Sequence, residues 1–284
     1  MDHTRPSARE LEVAAAAQPA PRPARTAPAG EAAAMLRRRG FATTPGELLT
    51  PFPPDLDGPA ADRLAEKLSH YAFRLFLRGA LHCGPIFDAT EATRYLAGHK
   101  AREQAETLVE LGLAVHEGGS RYRLLHPVPS FGGTLEWYVA RELRTRLGFD
   151  VAVNHKFRAP GVGGDLDVVA AAEGKLVQIE LKSSPPKHLS MEEVRAFFDR
   201  VQALRPDVAL FVVDTALRLG DRVVPMLTQA LQDRRRDAPP PRRIERELWS
   251  FGPHLYVVNA KPDLVANVAR SIAEGLRALA PSIV

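Results

Sequence analysis

The clearest alternation of apolar and polar positions lies in residues 163–185, GGDLDVVAAAEGKLVQIELKSSP. Successive side chains of a strand leave on opposite faces, so Leu166 and Val168 are expected on one face and Asp165 and Asp167 on the other. The next run repeats the pattern, with Val177, Ile179 and Leu181 opposed by Gln178, Glu180 and Lys182. Helical spacing governs the preceding part. Leu64, Leu68, Ala72, Leu75 and Phe76 predict a first helix from about residue 61. Asp88 with Glu91 predicts a capping box for a short second helix through Leu96, and residues 100–111 a third. Residues 113–116 and 121–125 then read as two strands joined by a Gly-Gly turn. Past Pro127, the stripe Leu135, Tyr138, Val139, Leu143 and Leu147 predicts a helix that Gly148 ends, and residues 149–153 a strand. Ser190 and Glu193 form a capping box for a helix carrying Val194, Phe197, Phe198, Val201 and Leu204. Residues 208–214 predict a buried strand, and the crossover before it favours parallel pairing with the strand bearing Glu180. A helix over 221–232, an exposed basic loop RRRDAPPPRRIERE, a strand over 254–259 and a closing helix with Leu264, Val268, Ile272, Leu276 and Leu279 complete the order.

Composition changes this picture at one end. Residues 1–60 are rich in Ala, Pro and Gly and predict a disordered tail and linker, which leaves 61–128 and 129–284 as two folded domains. Glu10, Glu12 and Glu31 and the prolines argue against a transit peptide, and no apolar run approaches the roughly 18 residues of a membrane span. A cytoplasmic protein without a membrane partner is the expectation. Cys83 is the single cysteine, which excludes an internal disulfide framework and a thiolate zinc cluster; it reads as a small buried apolar residue. A net charge of +4 permits a polyanionic partner without requiring one. No GxxxxGK[ST] loop indicates nucleotide hydrolysis.

The chemistry sits in the charged positions of the two central strands. Charges inside apolar strands are costly to bury unless compensated, and a metal ion or a phosphate is the usual compensation at a site. Asp167 and Glu180 offer the hard oxygen ligands that Mg²⁺ or Mn²⁺ prefers, and Lys182 shares the strand face of Glu180. Lys182 there can orient or deprotonate a water and stabilise phosphoryl charge. Glu136 lies in the first turn of its helix, where it can reach the rim of the sheet. Lys156 and Arg158, ahead of Gly161, Gly163 and Gly164, are candidate phosphate contacts, with a solvated hairpin edge as the equal alternative.

The order helix, strand, strand with Asp, strand with Glu-x-Lys resembles the PD-(D/E)xK nuclease superfamily. The resemblance runs from Gly133 to about Val258 and is carried by Glu136, by Asp167-Val168-Val169 and by Glu180-Leu181-Lys182. Within it, Gly133-Thr134-Leu135-Glu136 is most similar to the Mrr-like and CRISPR-ancillary branch, although Leu166 stands where the motif's proline would precede Asp167. No counterpart of that branch's nucleotide-sensing Rossmann-type domain is seen in residues 1–130. The resemblance implies a restriction-endonuclease-like mixed sheet flanked by helices, with divalent metal held by Asp167, Glu180, the Leu181 carbonyl and Glu136. It also implies a metal-dependent endonuclease acting on nucleic acid, DNA ahead of RNA, and leaves a homodimer open. Residues 61–128 resemble a small winged-helix-like α+β domain, in which Arg121 and Arg123 of the hairpin are candidate phosphate contacts and an activating partner is the alternative role. Against the enzyme stands a non-catalytic nucleic-acid-binding or assembly protein built on the same scaffold, or a nuclease that only a partner activates. The role of Asp165 stays open.

Overall fold

Residues Val208–Val213 are buried at all six positions, the signature of a strand covered on both faces, and they form the centre of an eight-stranded mixed sheet. In a computed structural model, residues 30–53 and 56–281 are described. The chain order is α1 (Glu31–Arg38), β1 (Thr43–Pro45), α2 (Gly58–Ser69), α3 (Tyr71–Cys83), β2 (Ile86–Asp88), α4 (Gly98–Glu110), β3 (Ala114–Gly118) and β4 (Arg121–Leu124). It continues with α5 (Gly132–Leu147), β5 (Asp150–Ala159), β6 (Val162–Ala172), β7 (Lys175–Lys182), α6 (Met191–Leu204), β8 (Val208–Val213) and α7 (Val223–Arg234). The last elements are β9 (Arg242–Glu245), β10 (Leu248–Ser250), β11 (Leu255–Asn259) and α8 (Leu264–Leu279). The large sheet runs β1-β5-β6-β7-β8-β11-β10-β9, with β7, β8 and β11 parallel and the other pairings antiparallel. A second sheet runs β2-β4-β3. The fold class is α/β, a mixed sheet flanked by helices. No described helix is long and apolar enough to cross a membrane.

Helices cover the sheet on both faces because its strands alternate two apolar sets. Val168, Ala170, Val177, Ile179, Leu210 and Val258 pack with Leu135 and Val139 of α5 and Leu264 and Val268 of α8. Ala209, Phe211, Val213 and Val257 pack on the other face with Phe197 and Phe198 of α6 and Val223 and Leu227 of α7. The Phe197 and Phe211 rings meet edge to face at 5.2 Å. The cap of α6 matches the sequence: the Ser190 hydroxyl accepts from the Glu193 N–H while the Glu193 carboxylate accepts from the Ser190 N–H. The apolar cluster under α5 and α8 is continuous with the one inside α2, α3 and α4.

Several local expectations are corrected. The helix expected from residue 61 is two helices, because His70 is extended and the Arg74 guanidinium takes the Leu68 and Ser69 carbonyls that end α2. The new phase buries Phe73, Arg74, Phe76 and Leu77 of α3 and leaves Ala72 exposed. No helix follows Asp88: its carboxylate accepts from the N–H and hydroxyl of Thr90, only two residues on, and from the Ser120 hydroxyl, so it closes a turn instead of capping. That turn packs so tightly on α3 that a Cβ on Gly79 would lie 1.8 Å from the Ala92 carbonyl oxygen. Cys83 is exposed at the end of α3, and Leu147 is 38% exposed at the end of α5. Part of the basic stretch expected as a loop pairs as the β9–β10 hairpin. The disorder expected of residues 1–29 falls outside the described residues, but within the expected tail and linker Glu31–Arg38 forms α1 and Thr43–Pro45 forms β1. Asp150 caps α1 by accepting from Ala32 N–H at 2.8 Å, and β1 pairs with β5 through Thr43–Phe157 and Thr44–Lys156.

Candidate active site

The site forms where β6 parts from β7. The two strands pair from Val168–Ile179 to Ala172–Lys175, and the ladder ends there. Gly164 has φ +117°, and the alternation expected of β6 breaks across Asp167: Val168 joins the apolar set under α5, whereas Leu166 packs with Val169 and Leu176. Asp167 occupies the break. Its carboxylate replaces the missing ladder bond by accepting from the Leu181 N–H at 2.7 Å. β7 keeps its alternation, so Glu180 and Lys182 both face α6.

Two cations hold Glu180, which is nearly fully buried. Arg200 of α6 donates to one carboxylate oxygen at 2.7 Å, and the Lys182 ammonium lies 3.1 Å from the other. Lys182 also meets Glu193 at 3.3 Å. Burial pulls the Lys182 pKa down, but Glu180, Asp167 and Glu193 together outweigh it and hold the ammonium above its ordinary value. The Asp167 pKa is raised as well: burial first, then the charges of Glu180 and Glu136, lift it well above the usual carboxylate range.

Glu136 comes to this group from the first turns of α5. Burial, reinforced by Asp165 and Glu180, pushes its pKa up to about 7, and one of its carboxylate oxygens is buried without a hydrogen-bond partner. The folded state therefore binds this proton where the unfolded chain has released it, and stability falls as pH rises from about 4.5 toward 7. Glu136→Gln is expected to be more stable than the parent at pH 8, by up to about 3 kcal/mol in metal-free buffer, with the difference vanishing toward pH 4. Urea titrations at the two pH values measure it; equal midpoints at pH 8 would contradict this environment for Glu136.

The structure thus brings Glu136, Asp167, Glu180 and Lys182 together, with Asp165 beside them and Lys156 opposite Asp165 in the β5–β6 register. Arg158 sits further toward the hairpin tip, opposite Gly163. Arg121 and Arg123 lie on the separate three-stranded sheet, where Arg123 pairs with Glu117 at 2.6 Å. Arg200, which reads in the sequence as a solvated helix charge, is buried against Glu180. Its signal was available: Glu193, Phe197, Arg200 and Leu204 recur at helical spacing on one face. Asp214, fully buried one residue past β8, was missed altogether. It accepts from Arg74 at 3.0 Å and from Arg78 at 2.6 Å, while its own N–H donates to the Lys182 carbonyl at 2.8 Å.

Among the described residues, no three carboxylate, imidazole or thiolate groups already converge as a metal cage. The donor chemistry nevertheless fits a hard divalent cation. Glu180 raises the electrostatic cost of both Glu136 and Asp167, and the unpartnered Glu136 oxygen lacks the positive charge that would relieve it.

No family model matches the chain, and no curated protein matches it. Among solved structures it is similar to protein VC1899 from Vibrio cholerae, with a TM-score of 0.53 and 16% identity over 86% of this chain and 62% of that one. It is also similar to Can2 from Sulfobacillus thermosulfidooxidans, solved in complex with cyclic tetra-adenylate, with a TM-score of 0.50 and 15% identity over 86% of this chain and 60% of that one. The chain spans about three fifths of the length of either structure. What it shares with both is the fold.

Proposed function

We propose that the chain is a restriction-endonuclease-like nuclease of the PD-(D/E)xK type that hydrolyses phosphodiester bonds of nucleic acid, DNA in the first instance. The observation that carries this reading is the gathering of Glu136, Asp167, Glu180 and Lys182 at the point where β6 leaves β7. Asp167, Glu180, the Leu181 carbonyl and Glu136 would hold Mg²⁺ or Mn²⁺. Such an ion, when bound, supplies Lewis-acid neutralisation of phosphate charge and a more acidic water. Lys182, its ammonium held above its ordinary value by Glu180, Asp167 and Glu193, would stabilise negative charge growing on the phosphoryl oxygens. The segment α2-α3-β2-α4-β3-β4 would be a winged-helix-like unit that presents nucleic acid or a partner to this site.

The test is a panel of single- and double-stranded DNA and RNA incubated with the full chain and Mg²⁺ or Mn²⁺. Cleavage of at least one substrate is expected. Failure on every substrate, together with no Mn²⁺ binding that Asp167→Ala removes, would leave only a scaffold. A second reading, a nuclease held at rest until a partner engages it, is favoured by one observation: both oxygens of Glu180 are occupied by Arg200 and Lys182. An inactive chain that binds Mn²⁺ through Asp167 is its expected signature.

A further inference from the structure

A cavity of 620 Å³ lies between α3, the turn after β2 and the link from β7 to α6. Its lining includes Arg78, His82, Arg94, Tyr95, Ser183 and His188, with Glu91 the one carboxylate among the described lining residues. It shares Ser183, Ser184 and His188 with a smaller cavity of 210 Å³ that is bounded by Lys182 and Glu193. The two together lead from the surface of the α2–α4 unit to the site at the C-terminal end of β7, the end at which sheets of this kind present ligands.

The chemistry of the larger cavity is specific. Tyr95, which lines the cavity, is 63% exposed. The Arg94 guanidinium lies 5.0 Å over that ring and donates to its hydroxyl at 2.8 Å, so ring and charge form one unit. Arg78, which lines the same cavity, is held by the Asp214 carboxylate at 2.6 Å and lies over the Phe131 ring, and its buried Nε has no partner. An exposed aromatic ring in a cleft that arginines also line is how proteins hold an unpaired base and the phosphates beside it. The volume suits one or two nucleotides and falls within the range of small-molecule sites.

We propose that this cleft is a nucleotide-binding site, in which Tyr95 stacks a base and Arg78 and Arg94 take the adjoining phosphates. The inference deepens the nucleolytic reading and rests on it for the direction of the bound nucleotides, which lead toward Lys182 through Ser183 and His188. Its occupant is either part of the strand being cut or a free nucleotide.

Fluorescence anisotropy of the full chain with fluorescein-labelled hexathymidylate in EDTA tests it without cleavage. Tyr95→Ser and Arg94→Gln are each expected to weaken binding about tenfold or more, and Tyr95→Phe to keep it near the parent value. Displacement of the probe by thymidine monophosphate identifies a free nucleotide as sufficient occupant, and resistance to it identifies a strand; both support the site. Parent-like affinity of Tyr95→Ser, no oligonucleotide binding at all, or binding of a glutamate-rich peptide in its place overturns it. Binding with the expected variant pattern but no cleavage under any metal keeps the cleft and removes the hydrolytic reading. Cleavage with unaltered Tyr95→Ser binding does the reverse.

Discussion

Lys182→Met is expected to slow phosphodiester cleavage by about 10²- to 10³-fold, the cost of removing one well-placed charge from a developing oxyanion. The substitution keeps the length of an apolar stem in β7, and the strand is anchored on the other face by Val177, Ile179 and Leu181, so the fold should survive. Circular dichroism and the urea midpoint establish that the variant is folded before rates are compared. The pH profile is equally informative. Because Glu180, Asp167 and Glu193 hold the ammonium above its ordinary value, parent activity should show no loss from Lys182 deprotonation near neutrality. A variant as fast as the parent would remove Lys182 from the mechanism, and an acidic limb near neutrality that Lys182→Met abolishes would reinstate it as a base.

Asp214→Ala should be the most destabilising single change near the site, at about 3–5 kcal/mol, because it strands a buried charge. Arg74 is 1% exposed and Asp214 fully buried; with the carboxylate gone, the Arg74 guanidinium keeps only the Leu68 and Ser69 carbonyls. Adding Arg74→Met to Asp214→Ala should recover part of the loss, since the unpaired charge leaves with its partner. Urea unfolding of the two single variants and the double variant measures the recovery. If the double variant is less stable by the full sum of the singles, the pair does not couple as its geometry requires. The cluster also ties α3 to the backbone of the site strand through the Asp214 N–H on the Lys182 carbonyl, so cleavage should fall in Asp214→Ala even where the protein remains folded.

Much of this was legible where the sequence obeys one period at a time. The strand with Glu180 and Lys182 keeps strict alternation, and its apolar half could be assigned to a buried face residue by residue. The capping box of α6 and the parallel pairing of β8 followed from equally local rules. Asp167 was singled out from its acidic place in an apolar strand, but the strand geometry around it was misread: the alternation is broken across it, and only the departure from β7 frees its carboxylate to take the Leu181 N–H. Arg74, Arg78 and Asp214 were hidden for a different reason. The residues of the closer pair are 136 positions apart, and nothing local distinguishes an arginine that seeks a distant buried aspartate from one that faces water. Residues 31–45 were misjudged because composition speaks for solvation, whereas the binding energy of this segment comes from the surface it meets, notably Phe157 against Phe41 and Asp150 at the start of α1.

The short strand β1 decides where the protein can be safely shortened. It covers the outer edge of β5, ten residues long, whose backbone groups would otherwise stand open along one margin of the large sheet. A chain begun at residue 61 would keep every element of the candidate site and lose that cover. Its bared edge would be a template for strand addition from another copy, so self-association, and not loss of chemistry, is the hazard of trimming the amino terminus.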